Sequence, residues 1–188
     1  MPNYKLIEGR RPGRGESGRE RGQLAEGRRA SHSNWAGREG RLPQGEVVIF
    51  DIDGVLADAS ARQHFLKGVR PDWDAFFESC HEDPLIEEAA RLLHVIDGRY
   101  SIVLLTGRPA SVMEPTIGWL NRYELRWDLL IMRDYGDYTA ARHFKARETA
   151  RIRQAGLIPL LAFEDDLRNV EMFQANGIPC VYIHSGYY

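Results

Sequence analysis

The sequence predicts an α/β protein built on a doubly wound parallel sheet, on three observations. From Glu46 onward, short β-rich runs alternate with longer stretches of helical character. Such alternation builds a parallel sheet with helices on both faces. Several of the short runs are continuously apolar, as strands buried on both faces are. Glycine stands just past two of the helical stretches, at Gly98 and Gly177, where a left-handed C-cap falls.

Residues 1–45 precede this pattern. They hold 9 of the 18 glycines, 10 of the 25 basic residues and 5 of the 27 acids, a net charge of +5. Residues 46–188 are left with 15 basic and 22 acidic residues, a net of −7. The first segment has almost no periodic apolar pattern, so it cannot bury enough surface to offset its ordering entropy. Residues 1–45 are therefore expected to be a disordered Arg/Gly-rich tail, ahead of one domain over 46–188. Its charge suits contact with nucleic-acid phosphates without sequence preference. Gly13-Arg14-Gly15-Glu16-Ser17-Gly18 has the spacing of a nucleotide loop. Arg19 and Glu20 follow where a P-loop needs Lys and Ser/Thr, and no apolar helix supports it.

The expected strands are Val47–Asp51, Ser101–Thr106, Leu129–Met132, Leu160–Glu164 and Cys180–His184. Helices are expected near 84–97, 110–124, 139–155 and 167–176. About 40 residues separate Asp58 from Ser101, and one crossover helix uses part of them. What remains, 59–83, makes at most a small helical insert. No apolar run approaches the ~20 residues of a membrane span, and the first 30 residues lack the apolar stretch of a secretory signal. The two cysteines, Cys80 and Cys180, make no disulfide scaffold and suit a reducing cytoplasm.

In a doubly wound sheet, ligands bind beyond the carboxyl ends of the strands. Polar residues gather there three times. Val47–Phe50 ends in Asp51-Ile52-Asp53-Gly54, Ile102–Leu105 in Thr106-Gly107-Arg108, and Leu160–Phe163 in Glu164-Asp165-Asp166. Asp51 and Asp53 lie two apart, so in extended backbone they lean to the same side. Carboxylates held this close repel unless a cation stands between them. A hard divalent cation bound by oxygens, most simply Mg²⁺, resolves the repulsion. With that cation, a phosphate can be held and a carboxylate can act as nucleophile.

The string Phe50-Asp51-Ile52-Asp53-Gly54-Val55-Leu56-Ala57-Asp58 resembles the first motif of the haloacid dehalogenase-like (HAD) superfamily, whose fold is Rossmann-like. Leu105-Thr106-Gly107-Arg108 resembles the second motif, Lys145 the third and Glu164-Asp165-Asp166 the fourth. The order is right and residues 46–188 are covered. More narrowly, the body is similar to the 3′-phosphatase domain of phage-type polynucleotide kinase/phosphatase. The narrower match rests on Trp73-Asp74-Ala75-Phe76-Phe77, Thr116-x-x-Trp119-Leu120, Arg133-x-x-Gly136-Asp137, Val170-Glu171-Met172-Phe173 and the Ser185-Gly186 ending.

The resemblance implies a Mg²⁺-dependent phosphomonoester hydrolase. Asp51 would take the phosphoryl group as an aspartyl phosphate. Asp53 would protonate the leaving oxygen and then activate water; an acid there favours a phosphatase over a dehalogenase. Thr106 would donate its hydroxyl to the phosphoryl oxygens, and Lys145 would pair with Asp51. The metal would take Asp51, the backbone carbonyl of Asp53, and a carboxylate from Glu164 and Asp165. A one-residue shift would make the pair Asp165 and Asp166. Arg62, Gly107 and Arg108 would bind substrate. The family often places an acid one turn before the lysine; here that position is Ala141, with Asp137 as the alternative acid and Arg142 or Arg147 as alternative cations.

Trp73, Phe76, Phe77 and Trp119 read as packing before they read as base-stacking surfaces. His64, His81, His94 and His143 show no metal spacing, and neither cysteine has an activating neighbour pattern. With no large lid, the site stays open to a bulky phosphoester such as a DNA or RNA 3′ end, and the expected function is polynucleotide 3′-phosphatase in nucleic-acid end repair. The alternatives are a HAD phosphatase for a small metabolite such as a nucleoside monophosphate, or a non-catalytic HAD-fold accessory module. No membrane partner is expected.

Overall fold

A computed structural model describes residues 32–187. The Gly13–Gly18 string and most of the expected tail lie outside the described residues. Six strands form one sheet: β1 (Trp35–Gly37), β2 (Gly45–Phe50), β3 (Ser101–Pro109), β4 (Leu129–Arg133), β5 (Leu157–Glu164) and β6 (Cys180–Tyr182). Their spatial order is β1-β4-β3-β2-β5-β6, parallel throughout except for β1 against β4. The helices are α1 (Trp73–Glu78), α2 (Glu87–Val95), α3 (Met113–Arg122), α4 (Ala141–Gln154) and α5 (Leu167–Ala175).

The period-2 alternation of the strands splits the core in two. Val48, Phe50, Ile102, Leu104, Leu130 and Met132 face one side, under Leu93 of α2 and Trp119 and Leu120 of α3. Val47, Ile49, Val103, Leu105, Leu129 and Ile131 face the other, under Phe144 and Ile152 of α4 and Phe173 of α5. With both faces covered, the central strands have no polar side, which is why they read as continuous apolar runs. Residues 59–82 form the small insert: a 3-10 segment Ala59–Leu66, α1, and a second 3-10 turn Ser79–Glu82.

The ends of some elements differ from the sequence reading. β3 runs on through Thr106-Gly107-Arg108 to Pro109, with a register shift between Leu105 and Pro109. β5 begins earlier, at Leu157, and its pairing with β2 shifts register between Val47 and Val48. β6 stops at Tyr182 rather than His184.

The larger correction concerns the tail. Trp35–Gly37 pairs antiparallel with the outer edge of β4, and Trp35 is 5% exposed. Its indole N–H donates to Glu148 Oε2 on α4 at 2.8 Å. Asn34 brackets Met132, donating through Nδ2 to its carbonyl at 2.8 Å and accepting from its N–H at 2.9 Å. Residues 33–45 are thus part of the domain. One tryptophan among Gly, Ser and Arg carries no period; its burial comes from the sheet edge it meets, a long-range fact that local pattern does not hold. Removing residues 1–42 is therefore expected to destabilise the domain, by about 3–5 kcal/mol from Trp35 alone. Removing 1–31 should leave both thermal stability and hydrolysis of a small phosphoester unchanged. Thermal denaturation of the two truncations checks both expectations.

Candidate active site

The chain steps from β2 to β3 and β4 on one side, then to β5 and β6 on the other. The order reverses at β2, so the crevice lies beyond its carboxyl end. Asp51 is the first residue past β2, Thr106 and Arg108 lie on the last stretch of β3, and Glu164 ends β5. α4 supplies Lys145 from one face of the sheet.

Asp51 still belongs to the sheet, its N–H donating to the Phe163 carbonyl at 3.0 Å. The chain then turns sharply: the Ile52 carbonyl accepts from the N–H groups of Val55, Leu56 and Ala57 at 3.2, 2.8 and 2.8 Å. Gly54 sits at φ +80°, and a Cβ there would lie 2.0 Å from Asp165 Oδ2. Both the backbone conformation and the close approach require glycine.

Lys145 is 1% exposed and its Nζ lies 2.6 Å from both Asp51 Oδ2 and Glu164 Oε2. Asp51 Oδ1 accepts from the Ile52 N–H at 2.7 Å. Glu164 Oε1 accepts from Asn169 Nδ2 at 3.1 Å and from the Asp166 N–H at 3.3 Å. Asp165 takes a hydrogen bond from Ser185, yet its Oδ2 is buried with no hydrogen-bond partner. One oxygen from each of Asp51, Glu164 and Asp165 lies within 4.8 Å of the others, and no other group of this kind occurs among the described residues.

Three ionised carboxylates against one ammonium leave a buried charge of −2. Burial pushes Asp51 up to about 8, with Glu164 adding to the rise and Lys145 opposing it. Burial, reinforced by the charge of Asp51, pushes Asp165 up to about 7. Burial works against the charge on Lys145 too, but its two carboxylates outweigh it and hold the ammonium well above the usual lysine range. A divalent cation would supply the missing charge, and the orphaned Asp165 oxygen has the chemistry to bind one. The donor set therefore fits Mg²⁺.

Asp166 is used differently. It caps α5, accepting from the Arg168 N–H at 2.9 Å, and its carboxylate pairs with the Arg168 guanidinium. Of the two registers open in sequence, Glu164 and Asp165 are the pair turned toward Asp51.

Asp53 has its own network. Arg108 reaches its carboxylate through Nε at 3.0 Å and Nη2 at 2.6 Å, and Arg62 Nη2 bonds the same oxygen. Asp83 answers from the insert, accepting from Arg62 Nε at 2.9 Å and from Arg108 Nη2 at 3.3 Å. Arg62, Arg108 and Asp83 are 2%, 0% and 3% exposed, so two carboxylates and two guanidiniums form a neutral buried cluster. Burial opposes the charge on Asp53, yet Arg108 and then Arg62 hold its carboxyl below the usual range. The structure thus pairs Arg62 and Arg108, the residues expected to bind substrate, with Asp53. A buried guanidinium needs carboxylates, and Asp53 and Asp83 provide them.

Thr106 is fully buried and its Oγ1 accepts from the Arg108 N–H at 3.2 Å. The Gly107 carbonyl accepts from Arg133 Nε at 3.3 Å. Asp137 does not stand in for the acid missing at Ala141: its carboxylate pairs with Arg147 at 2.6 Å, away from Lys145. Nor is a substitute for Lys145 needed, since Arg147 serves Asp137 and Glu148 while Arg142 lies against His143. Phe76 and Trp119 are buried packing, as read, while Trp73 is half-exposed. Cys80 is buried, and burial raises both thiols.

A family model for the polynucleotide kinase PNKP phosphatase domain matches residues 45–188. The chain belongs to this family. It is a HAD-type phosphatase domain, and β1 lies outside the stretch that the family model covers. Two solved structures are similar in sequence as well as in fold. One, of a Pnkp1/Rnl/Hen1 complex, is 28% identical with a TM-score of 0.61, over 77% of this chain and 47% of that one. The other, of the Pnkp1/Rnl/Hen1 RNA repair complex, is 25% identical with a TM-score of 0.63, over 88% and 48%. The phosphatase thus spans less than half of either relative. A class C acid phosphatase from Bacillus anthracis, with tungstate bound, shares the fold alone: 15% identity and a TM-score of 0.55, over 78% and 69%. No curated protein matches the chain.

Two site residues escape a sequence reading, Asp83 and Asn169, and Ser185 enters it only as part of the ending that the narrower match shares. One acid in a connecting loop carries no local signal. The only available hint for Asp83 is arithmetic, since two buried arginines need two carboxylates and Asp53 is one.

Proposed function

We propose that the protein is a Mg²⁺-dependent polynucleotide 3′-phosphatase that works through an aspartyl phosphate on Asp51. The observation that carries this reading is the cluster of Asp51, Lys145 and Glu164 with the orphaned Asp165 oxygen, set at the switch point of a chain matched over 45–188 by its family. One solved relative, 25% identical, belongs to the Pnkp1/Rnl/Hen1 RNA repair complex, which supports a nucleic-acid end, and RNA first, as the substrate.

Asp51 attacks phosphorus in line with the leaving oxygen, and Lys145 offsets the charge that gathers on the phosphoryl oxygens. Thr106, at the end of β3, adds a hydroxyl donor. Asp53 protonates the leaving oxygen and then, as a carboxylate, draws a proton from the water that releases phosphate. Its two arginines keep it in the carboxylate form at rest. An arriving phosphate offsets their charge, which raises its proton affinity for the first half of the reaction. Mg²⁺ held by Asp51, Asp165 and the Asp53 carbonyl would neutralise charge on the phosphoryl group. Glu164, the third carboxylate of the cluster, also positions Lys145 through Oε2 at 2.6 Å.

Phosphate release tests the reading across a 3′-phosphorylated RNA and DNA oligomer, a 5′-phosphorylated oligomer and nucleoside monophosphates, with Mg²⁺, Ca²⁺ or EDTA. Release from 3′ ends, supported by Mg²⁺ and poorly by Ca²⁺, is expected. Preference for mononucleotides would instead assign a small-metabolite phosphatase, and full activity in EDTA would remove the metal. Asp165→Ala is expected to raise the Mg²⁺ needed for half-maximal activity and lower the maximal rate. Asp166→Ala should leave the Mg²⁺ dependence unchanged and cost about 1 kcal/mol as a lost cap. Magnesium titrations of the two variants check this.

A further inference from the structure

The loop after β4 is held firmly from below and left bare above. Arg133 donates to the carbonyls of Asp137, at 3.3 Å, and Thr139. Asp137 Oδ1 accepts from the Thr139 N–H at 2.9 Å and hydroxyl at 2.7 Å, and its Oδ2 pairs with Arg147. These bonds fix the backbone of 134–139. Yet Tyr135 and Tyr138 are 83% and 93% exposed, the most exposed aromatic side chains among the described residues. Neither ring stacks on another ring among those residues.

The loop's position gives the tyrosines a use. It leaves the carboxyl end of β4, on the same sheet edge as Asp51, Thr106 and Glu164, with β3 between β4 and β2. At ~4.8 Å per strand, the two strand ends lie roughly 10 Å apart, and stacked nucleotides at ~3.4 Å each cover that span in a few steps. Arg133 links the two places, tying the loop at one end and the Gly107 carbonyl at the other. Ser33 donates to Asp134 at 3.4 Å, so the N-terminal segment joins the domain at this loop.

We propose that Tyr135 and Tyr138 form a stacking platform for unpaired bases of the strand whose terminal phosphate is presented to Asp51. The platform rests on the polynucleotide reading above and deepens it. Aromatic faces accept any base, so this surface confers a preference for strands over mononucleotides without sequence preference. The bonded loop backbone holds the two tyrosines' positions before the strand arrives, which reduces the backbone share of the ordering cost of binding.

The test compares wild type, Tyr135→Ala/Tyr138→Ala and Tyr135→Phe/Tyr138→Phe on three substrates. These are a small chromogenic phosphoester, a nucleoside 3′-monophosphate and a single-stranded 3′-phosphorylated oligomer. The alanine pair is expected to raise KM for the oligomer roughly 10-fold or more, with kcat and the small phosphoester unchanged. The phenylalanine pair, which keeps the ring faces, should behave as wild type. An oligomer KM within twofold of wild type in the alanine pair overturns the platform and leaves the polynucleotide reading standing. Equal loss on the small phosphoester also overturns it, since the loop would then act on the site through Arg133. A wild type with no preference for the oligomer over the monophosphate overturns the substrate reading, and the platform with it.

Discussion

Asp51→Asn is expected to abolish turnover, by ~10⁴-fold or more, while the protein stays folded. The amide is nearly the same size but has no electron pair able to displace an alkoxide from phosphorus. Lys145 keeps Glu164 as a partner at 2.6 Å, so no buried cation is orphaned. With every carboxylate ionised, the buried excess falls from −2 to −1. Thermal stability in EDTA should therefore hold or rise, a sign opposite to that of most buried substitutions. Steady-state kinetics and a denaturation curve on the same preparation check both halves. Wild-type activity in this variant would remove Asp51 from the chemistry.

Lys145→Met should act in the other direction on stability. Among the described residues, it deletes the one cation facing Asp51, Glu164 and Asp165 and leaves three carboxylates together. Breaking a buried ion pair from one side costs about 3–5 kcal/mol, which for a domain of this size is roughly 10 °C in Tm. The deficit depends on pH. Burial already pushes Asp51 up to about 8 and Asp165 up to about 7, and without the lysine both rise further. Their folded values stand above the unfolded ones, so the native state binds more protons and stability falls as pH rises between about 4 and 8. The loss in EDTA should thus be small near pH 5 and largest at pH 8, and added Mg²⁺ should recover more stability in the variant than in wild type. A Tm within 2 °C of wild type at pH 8 would contradict this account of Lys145.

How much of this was legible in sequence follows from the range of each interaction. β2, β3 and β4 were readable because burial on both faces writes itself as unbroken apolar runs. Asp51, Thr106 and Glu164 were readable because each directly follows or ends such a run. Lys145 stands 94 residues from Asp51 in sequence, and a motif, rather than any local pattern, pointed to it. Trp35 was missed because it packs on a sheet edge and a helix that are distant in sequence. Arg62 and Arg108 stand out through the narrower family match, and only the fold reveals that Asp83 and Asp53 enclose them. The start of α5 favours the pair Glu164/Asp165 over Asp165/Asp166, because Asp166 is used there as the cap, whereas a cap and a ligand are the same residue type in a string.

The central claim is that Asp51 carries the phosphoryl group. The measurement that tests it most directly is acid quenching during turnover with Mg²⁺ and a 3′-phosphorylated oligomer, followed by borohydride reduction and peptide mass analysis. An aspartyl phosphate is reduced to homoserine, whereas a free carboxylate is untouched. Homoserine at position 51, dependent on substrate and missing from Asp51→Asn, is the predicted result. Steady turnover with position 51 unmodified, or with the mark on another carboxylate, would contradict the account.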